Sequence, residues 1–308
     1  TPPNRRRRVS RASIARVYGF VDNRSSRPSR NAPDRIPALR RRAAAVCLAA
    51  GLAALVPACS PDSPAGGTGP SARAGHGERG ERAARPLAGR TVVIDPGHNP
   101  SNADHPDEIN RIIDMGTGRK PCDNVGASTN DGYAEAEFTL DVSRRIRTLL
   151  ERQGATVKFT QDGDRPYGPC VDERARIGNK AKADAAVSVH ADGAGPGNRG
   201  FHVILPEKVK KGPADTAPIV APSRELGERI AETFARTTGS GPANYVGDGT
   251  GLDVRDNLGG LNLSTVPKVF IECGNMRDAQ DAARLTDPRW RQRAAQGIAN
   301  GIETYLTA

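Results

Sequence analysis

Short apolar runs that alternate with helical periodicity constrain this chain more than any other feature. Mainly apolar runs of four to six residues, bounded by turn or polar residues, recur at 91–94, 156–159, 185–189, 201–205 and 266–271. Strands of this kind are buried on both faces, and helices between them provide the crossovers of a parallel sheet. We therefore predict an α/β fold: a single domain with a twisted, mostly parallel sheet of about six strands, flanked by helices on both faces.

Helices are predicted between these runs. Apolar residues recur at helical spacing from Phe138 until Gly154, a residue type that commonly ends a helix. The sequence also predicts a helix over 172–183, a helix with Ser223 as its N-cap, and a last helix that begins at Asp287-Pro288.

The basic charge of the chain is concentrated at its beginning. The formal net charge is +10, but residues 1–59 hold 13 of the 45 Lys and Arg residues and only two of the 35 acids. Residues 60–308 therefore carry 32 basic and 33 acidic residues. Nucleic-acid binding depends on clustered cations that neutralise phosphates, so this near balance argues against a nucleic-acid partner.

The beginning of the chain has the pattern of a basic leader and signal-peptide-like segment over residues 1–59. Three arginines at 40–42 precede an apolar stretch over 43–58, which has the length of a signal-peptide core and is short for a membrane span. Cleavage would release the protein, whereas acylation of Cys59 in a lipobox-like sequence would give it a lipid anchor; an uncleaved membrane anchor is the third alternative. The segment predicts an exported protein, in the periplasm, the cell wall or the extracellular space.

The rest of the chain divides into a tether and one domain. Residues 60–89 are rich in Gly, Pro and Ala without a period, which predicts a flexible tether. Residues 90–308 are long enough for one substantial core and show no internal repeat. We expect this domain to be a monomer.

Three cysteines lie in the predicted domain, and their surroundings differ. Cys122 and Cys170 stand among Pro and Gly residues, where an oxidising compartment would allow them to pair. Cys273 stands in an apolar run and is interpreted as a buried free thiol.

Four polar residues stand where a parallel sheet collects its functional groups. His98 follows the first strand across a Pro-Gly turn, and His190 and Glu272 directly follow two later strands. Glu135 opens a predicted helix, whose N-terminus favours a carboxylate. The carboxyl ends of parallel strands meet at one edge of the sheet, so we expect these groups to converge.

Two histidines and one carboxylate form a common catalytic zinc arrangement, in which a fourth position is left to water. A further carboxylate nearby can move a proton from that water to a leaving amine. Each residue alone also has an ordinary structural interpretation, as a packed histidine or a helix-capping glutamate. The pattern by itself therefore indicates a metal hydrolase without fixing its substrate.

Five blocks of residues occur together along the domain. They are VIDPGH at 93–98, Glu135 with Leu140 five positions on, RARIGN at 174–179, SVHAD at 188–192 and VFIECGN at 269–275. In this order they resemble the zinc-dependent N-acetylmuramoyl-L-alanine amidase family (the amidase type 3 catalytic domain), over essentially all of residues 90–308. DPGHN at 95–99 and PCVDER at 169–174 are similar to the mycobacterial and actinobacterial branch in particular.

This resemblance implies an activity. The family hydrolyses the amide bond between N-acetylmuramic acid and the L-alanine of the peptidoglycan stem peptide, for cell-wall remodelling or fragment recycling. The expected partners are therefore peptidoglycan or muropeptide fragments. The resemblance to the actinobacterial branch also implies a disulfide, which agrees with the pair Cys122 and Cys170.

The resemblance also implies roles for single residues. Matched position by position, Zn²⁺ would be held by His98, Glu135 and His190, and Glu272 would be the catalytic glutamate. Glu137 competes for the second ligand position, but Glu135 stands at the family's distance from the conserved leucine of the helix.

Three further residues are candidates for substrate binding. Arg174 could bind a peptide carboxylate through two hydrogen bonds, although pairing with Asp172 or with the helix neighbours of Glu173 is an equal alternative. Asn262 and Asn275 could position substrate, or could satisfy turns and caps instead. His202, within a predicted strand, is interpreted as structural or substrate-facing.

Two other functions stay open at the level of sequence. A catalytically weak relative could bind peptidoglycan or regulate on the same fold, although the four matched residues are all present. A thiol hydrolase could use Cys273 with His190, which requires an accessible thiol. The sequence also leaves open whether the 99–133 loop gates the substrate groove.

Overall fold

The structure, a computed structural model, describes residues 85–308. The predictions for the leader over 1–59, with the lipid anchor at Cys59, and for most of the 60–89 tether lie outside the described residues. None of the helices within 85–308 combines the length and the apolar character that a membrane crossing requires.

Ten strands and seven α-helices lie within this part of the chain. The strands are β1 (Thr91–Pro96), β2 (Ile112–Asp114), β3 (Arg119–Pro121), β4 (Thr156–Phe159), β5 (Ala185–Asp192), β6 (His202–Pro206), β7 (Lys210–Lys211), β8 (Ala214–Asp215), β9 (Leu252–Arg255) and β10 (Lys268–Asn275). The helices are α1 (Pro106–Ile109), α2 (Glu135–Arg152), α3 (Val171–Ala181), α4 (Val220–Thr238), α5 (Gly259–Asn262), α6 (Ala279–Leu285) and α7 (Pro288–Thr307).

Six of these strands form one sheet in the order β4-β1-β5-β10-β6-β9. The first four are parallel to one another, β6 is antiparallel to β10, and β9 is parallel to β6. The predicted α/β fold with a mostly parallel sheet of about six strands is therefore confirmed. The short edge strand β9 was not predicted, because it has no continuous apolar run.

Alternation along the strands gives the sheet two different faces. On one face, apolar side chains pack against α2, α4 and α7 in the main core, and they include Val92, Ile94, Val187, Val189, Val269 and Ile271. The intervening residues point to the other face, where α3 packs against β1 and α5. That second face carries polar side chains: Asp95, Ser188, His190, Lys268 and Glu272.

The predicted N-cap of α4 was wrong. The helix already begins at Val220, because Pro222 is tolerated within a first turn. Ser223 is buried inside the helix, and its hydroxyl oxygen accepts a hydrogen bond from the Lys268 backbone N–H at 3.0 Å. The residue thus ties α4 to β10 instead of capping the helix.

The long segment over 99–133 has structure of its own. It contains a short 3₁₀ helix (Asn102–Asp104), α1 and the β2–β3 hairpin. A disulfide between Cys122 and Cys170 joins its far end to the start of α3. The predicted bridge is therefore confirmed, and Cys273 is a buried free cysteine as predicted.

We predict that Cys122→Ser with Cys170→Ser lowers the free energy of unfolding by about 2–4 kcal/mol, because the bridge closes a long loop. The bridge spans 48 residues. Urea unfolding with and without a reductant measures the effect, and the reductant should destabilise only the unsubstituted protein. Equal stability of the two proteins under oxidising conditions would contradict this account.

Candidate active site

Three side chains meet at one edge of the polar face. One ligand atom from each of His98, Glu135 and His190 lies within 4.8 Å of the others. Glu135 Oε1 stands between the two rings, 3.1 Å from His98 Nε2 and 2.9 Å from His190 Nδ1. The other oxygen, Oε2, accepts a hydrogen bond from the Ala127 backbone N–H at 2.7 Å. The structure thus brings together the three residues predicted to hold a metal.

Local structure explains why these three residues converge. His98 follows β1 and the Gly97 turn in a left-handed conformation, with φ of 62°. His190 projects from the polar face of β5, and Glu135 is the first residue of α2. The competing Glu137 is exposed and lies outside the cluster, so geometry favours Glu135.

The ring of His98 has one orientation that its neighbours allow. Its Nδ1 lies 3.1 Å from the Asn124 carbonyl oxygen, which only accepts hydrogen bonds. We assign the ring proton to Nδ1 for that reason, since proton positions follow from the hydrogen-bond network. Nε2 then faces Glu135 and the centre of the cluster, and it is the nitrogen that a metal ion would bind in place of its proton.

The cluster stabilises positive charge. Burial lowers the pKa of His98, but the charge of Glu135 and the hydrogen bond to Asp123 outweigh it and raise that pKa to about 10. Burial likewise opposes ionisation of Glu135, whereas the two histidines hold the pKa of its carboxyl well below the usual range. An anionic carboxylate therefore lies between two imidazoles in a buried site.

This donor set fits a zinc ion. Two imidazole nitrogens and one carboxylate oxygen are the protein ligands of many catalytic zinc sites, in which a fourth position stays open. Imidazole also suits other transition metals, whereas calcium and magnesium prefer oxygen ligands alone. The residues present are consistent with the predicted Zn²⁺.

Glu272 lies beside this cluster on the same face. Within the sheet it pairs in register with His190 on β5 and with His202 on β6. Its Oε2 is buried and has no hydrogen-bond partner. Burial, together with the negative charges of Glu135 and Asp192, raises the pKa of the Glu272 carboxyl well above its usual value.

His202 is the buried neighbour of Glu272 on the far side from the cluster. Neither of its ring nitrogens has a hydrogen-bond partner. Burial lowers the pKa of His202 to about 4, although the charge of Asp192 opposes the shift. The ring is therefore neutral near pH 7, and it stands outside the group of possible ligands.

A cavity of about 490 Å³ opens on the two histidines of the cluster. Its floor includes Phe270, whose ring stacks on His190 with centroids 5.2 Å apart. The 99–133 segment and the loop before α5 form its walls, with Asn102, Ile109, Val125 and Leu258 among the lining residues. This volume lies in the range of small-molecule and substrate sites.

The structure gives Arg174 an internal role, which argues against its predicted binding of substrate. The buried guanidinium donates to the carboxylates of Asp95 and Asp123 and to the carbonyl oxygens of Pro96, His98 and Pro169. These contacts use all five N–H donors of an arginine. No donor remains for a peptide carboxylate.

Burial argues in the same way against the predicted substrate contacts of Asn262 and Asn275, since both residues are fully buried. The Asn275 amide donates to the carbonyl oxygens of Ala194 and Asn198. The Asn262 amide donates to the carbonyl oxygens of Met115 and Asp256. Both side chains hold loops together.

The thiol alternative fails on the position of Cys273. The residue belongs to the apolar core on the face of the sheet opposite His190. Burial and the charge of Glu272 raise the pKa of its thiol well above the usual value. A thiolate nucleophile is therefore not available at the site.

Sequence reasoning missed the buried polar group beneath the histidines: Asp95, Ser188 and Lys268. The Lys268 ammonium lies 2.9 Å from Asp95 Oδ2, and the Ser188 hydroxyl donates to the same oxygen at 2.9 Å. A lysine within an apolar strand was the available signal, since such a residue is rarely buried without a partner.

Fold and site together fit one class of protein: α/β metallohydrolases that hold a single ion with two histidines and a carboxylate. Within that class the chain belongs to the N-acetylmuramoyl-L-alanine amidase family, whose model matches residues 92–304.

Comparisons of sequence and of structure agree on the mycobacterial branch of this family. The chain is 37% identical over 221 residues to the N-acetylmuramoyl-L-alanine amidase Rv3717 of Mycobacterium tuberculosis, covering 71% of this chain and 88% of that one. The crystal structure of the amidase Ami1 from Mycobacterium smegmatis has 38% identity and a TM-score of 0.65, covering 71% of this chain and 98% of the other. Apo Ami1 from Mycobacterium abscessus has 39% identity and the same TM-score, with coverage of 71% and 100%. The predicted actinobacterial resemblance is confirmed.

We predict that Gly97→Ala weakens zinc binding at least about tenfold, because a Cβ there would overlap the His190 ring. Competition with a zinc chelator measures the dissociation constant. Gly195→Ala is the matched control, since a Cβ at that position has no atom within 4 Å. Equal zinc affinity in the two variants would contradict the packing described here.

His202 makes a prediction for stability against pH. The pKa of His202 is about 4 in the folded protein, against 6.5 for a free histidine. Between these values the unfolded chain binds a proton that the folded protein does not. The free energy of unfolding of the metal-free protein should therefore fall on acidification, by up to about 1.4 kcal/mol per pH unit from this group.

Urea unfolding between pH 4 and 6.5 tests this slope. His202→Phe should remove the contribution, whereas His105→Gln, at a partly exposed histidine before α1, should leave the slope unchanged. The same slope in the His202→Phe variant and the unsubstituted protein would rule out the proposed titration.

Proposed function

We propose that this protein hydrolyses the amide bond between N-acetylmuramic acid and the L-alanine of the peptidoglycan stem peptide, with zinc held by His98, Glu135 and His190. The observation that carries the proposal is the convergence of these three side chains beside the partly buried Glu272, in a domain of the amidase family.

A zinc ion in this cluster would polarise the scissile carbonyl and lower the pKa of a water molecule. The protein's own part is to orient the donors. The Asn124 carbonyl fixes the His98 ring, and the Ala127 and Ala191 backbone N–H groups hold the Glu135 carboxylate. These contacts hold the three metal-ligating atoms in one arrangement before substrate binds.

Glu272 is the proposed proton carrier. Its carboxyl takes the proton of the attacking water and delivers it to the nitrogen of the leaving L-alanine. The raised pKa of Glu272 supports this role, because a carboxyl with a higher pKa holds more readily the proton that it delivers to the leaving nitrogen. Glu272 Oε2 has no hydrogen-bond partner in the structure, so it can form the hydrogen bond that this proton transfer requires.

We further propose that the protein works outside the cytoplasmic membrane, where its substrate lies. The Cys122–Cys170 disulfide supports this location, since such bridges persist in oxidising compartments. Cleavage after the signal-like segment, acylation of Cys59 and retention as an uncleaved membrane anchor are the three outcomes that the leader offers. Mass analysis of the mature N-terminus from the native host distinguishes them, and an intact leader in a protein found only in the cytoplasm would contradict export.

We predict that the zinc-loaded protein releases stem peptides with a free L-alanine amino group from purified peptidoglycan. Glu272→Gln should lower kcat by about 10²- to 10⁴-fold while one zinc per chain is retained. Glu135→Gln should lose zinc, whereas Glu137→Gln, the exposed neighbour on the same helix, should keep both metal and activity. Chromatography with mass spectrometry of the digest and metal analysis provide the measurements.

Two results would overturn parts of this account. Full turnover in Glu272→Gln would remove Glu272 from the mechanism. Binding to peptidoglycan without any released peptide would favour the alternative of a wall-binding or regulatory relative on the same fold.

A further inference from the structure

A chain of hydrogen bonds connects His190 to the centre of the sheet. His190 Nε2, the nitrogen that points away from Glu135, lies 3.2 Å from Ser188 Oγ. Ser188 Oγ in turn lies 2.9 Å from Asp95 Oδ2. Ser188 and Asp95 are completely or almost completely buried, with exposures of 1% and 0%, so water does not compete for these contacts.

Within this series of hydrogen bonds, Asp95 acts only as an acceptor. The Lys268 ammonium and the Arg174 guanidinium each lie 2.9 Å from its carboxylate, and the Thr160 hydroxyl donates to it at 2.6 Å. Burial opposes ionisation, but the two cations outweigh it and hold the pKa of Asp95 well below its usual range. The carboxylate therefore has no proton to give.

The direction of each hydrogen bond follows from that anion. The Ser188 hydroxyl must donate its one hydrogen to Asp95, which leaves only lone pairs on the oxygen towards His190. His190 must then carry a hydrogen on Nε2 and donate it to Ser188. Nδ1, the nitrogen 2.9 Å from Glu135, is then the ring atom that can bind an ion once its own proton has left.

Packing keeps the ring in this orientation. Phe270 stacks on one side of His190, with an angle of 13° between the two rings. Gly97 lies against the ring so closely that a Cβ would overlap it. Turning Nε2 towards the cluster would lose its hydrogen bond to Ser188.

We propose that Asp95 and Ser188 are positioning residues for the metal centre: they fix the tautomer and orientation of His190 so that Nδ1 is the donor atom. The inference rests on the proposed function, because it assigns a role towards the ion that the cluster would hold. Groups that hold the second nitrogen of a ligating histidine typically change metal affinity by 10- to 100-fold. Lys268 and Arg174 contribute by keeping Asp95 an acceptor.

The test compares two serine-to-alanine changes. Ser188→Ala should raise the zinc dissociation constant about 10- to 100-fold, as measured by competition of Zn²⁺ with a chelating indicator. Ser143→Ala is the matched control, because Ser143 is also fully buried but its hydroxyl has no partner and lies on α2 away from His190. It should leave zinc affinity within about twofold, and urea unfolding checks that both variants fold.

A second measurement does not depend on any variant. In the zinc-loaded, ¹⁵N-labelled protein, NMR should show His190 with a metal-bound Nδ1 and a protonated Nε2. A protonated Nδ1, or unchanged zinc affinity in Ser188→Ala, would overturn the inference and leave the proposed function standing. An unsubstituted protein that binds no zinc would instead overturn the proposed function itself.

Discussion

The arrangement of this domain depends on the ion pairs and hydrogen bonds of one buried carboxylate, that of Asp95. It lies fully buried at the end of β1, where an unpaired charge would cost several kcal/mol. Its partners are Thr160 after β4, Ser188 on β5, Lys268 on β10 and Arg174 on α3. One acidic side chain thus joins the four parallel strands and the helix that covers their polar face. Its partners are needed together, because removing any one of them leaves buried charge or a buried donor without compensation.

The candidate metal centre is built on this buried network. Arg174 also binds the carbonyl oxygens of Pro96 and His98, so the turn that carries His98 is fixed from below. The path from Asp95 through Ser188 reaches the ring of His190 on the next strand. The donors of the cluster are therefore oriented by the same contacts that stabilise the sheet. The 99–133 segment lines the cavity and also supports the donors, since its Asn124 carbonyl contacts His98 and its Ala127 N–H binds Glu135.

Much of this architecture could be predicted from local pattern, and the exceptions share a cause. Continuous apolar runs identified the central strands, and the family blocks separated Glu135 from Glu137, which no periodicity can do. The strand β9 (Leu252–Arg255) was not predicted, because it lies at the edge of the sheet and two of its four residues are charged. The partners of Arg174 could not be identified, because Asp95 and Asp123 lie 79 and 51 residues away in the chain. Contacts of that range leave no local signature, so only the folded structure could assign them.

Anomalous X-ray diffraction from crystals of the zinc-loaded protein, recorded at the zinc absorption edge, tests the central claim most directly. The account predicts one peak about 2.0–2.2 Å from His98 Nε2, His190 Nδ1 and a carboxylate oxygen of Glu135. Glu272 should lie beside the ion without ligating it. A peak at other residues, or one bound through Nε2 of His190, would contradict the account.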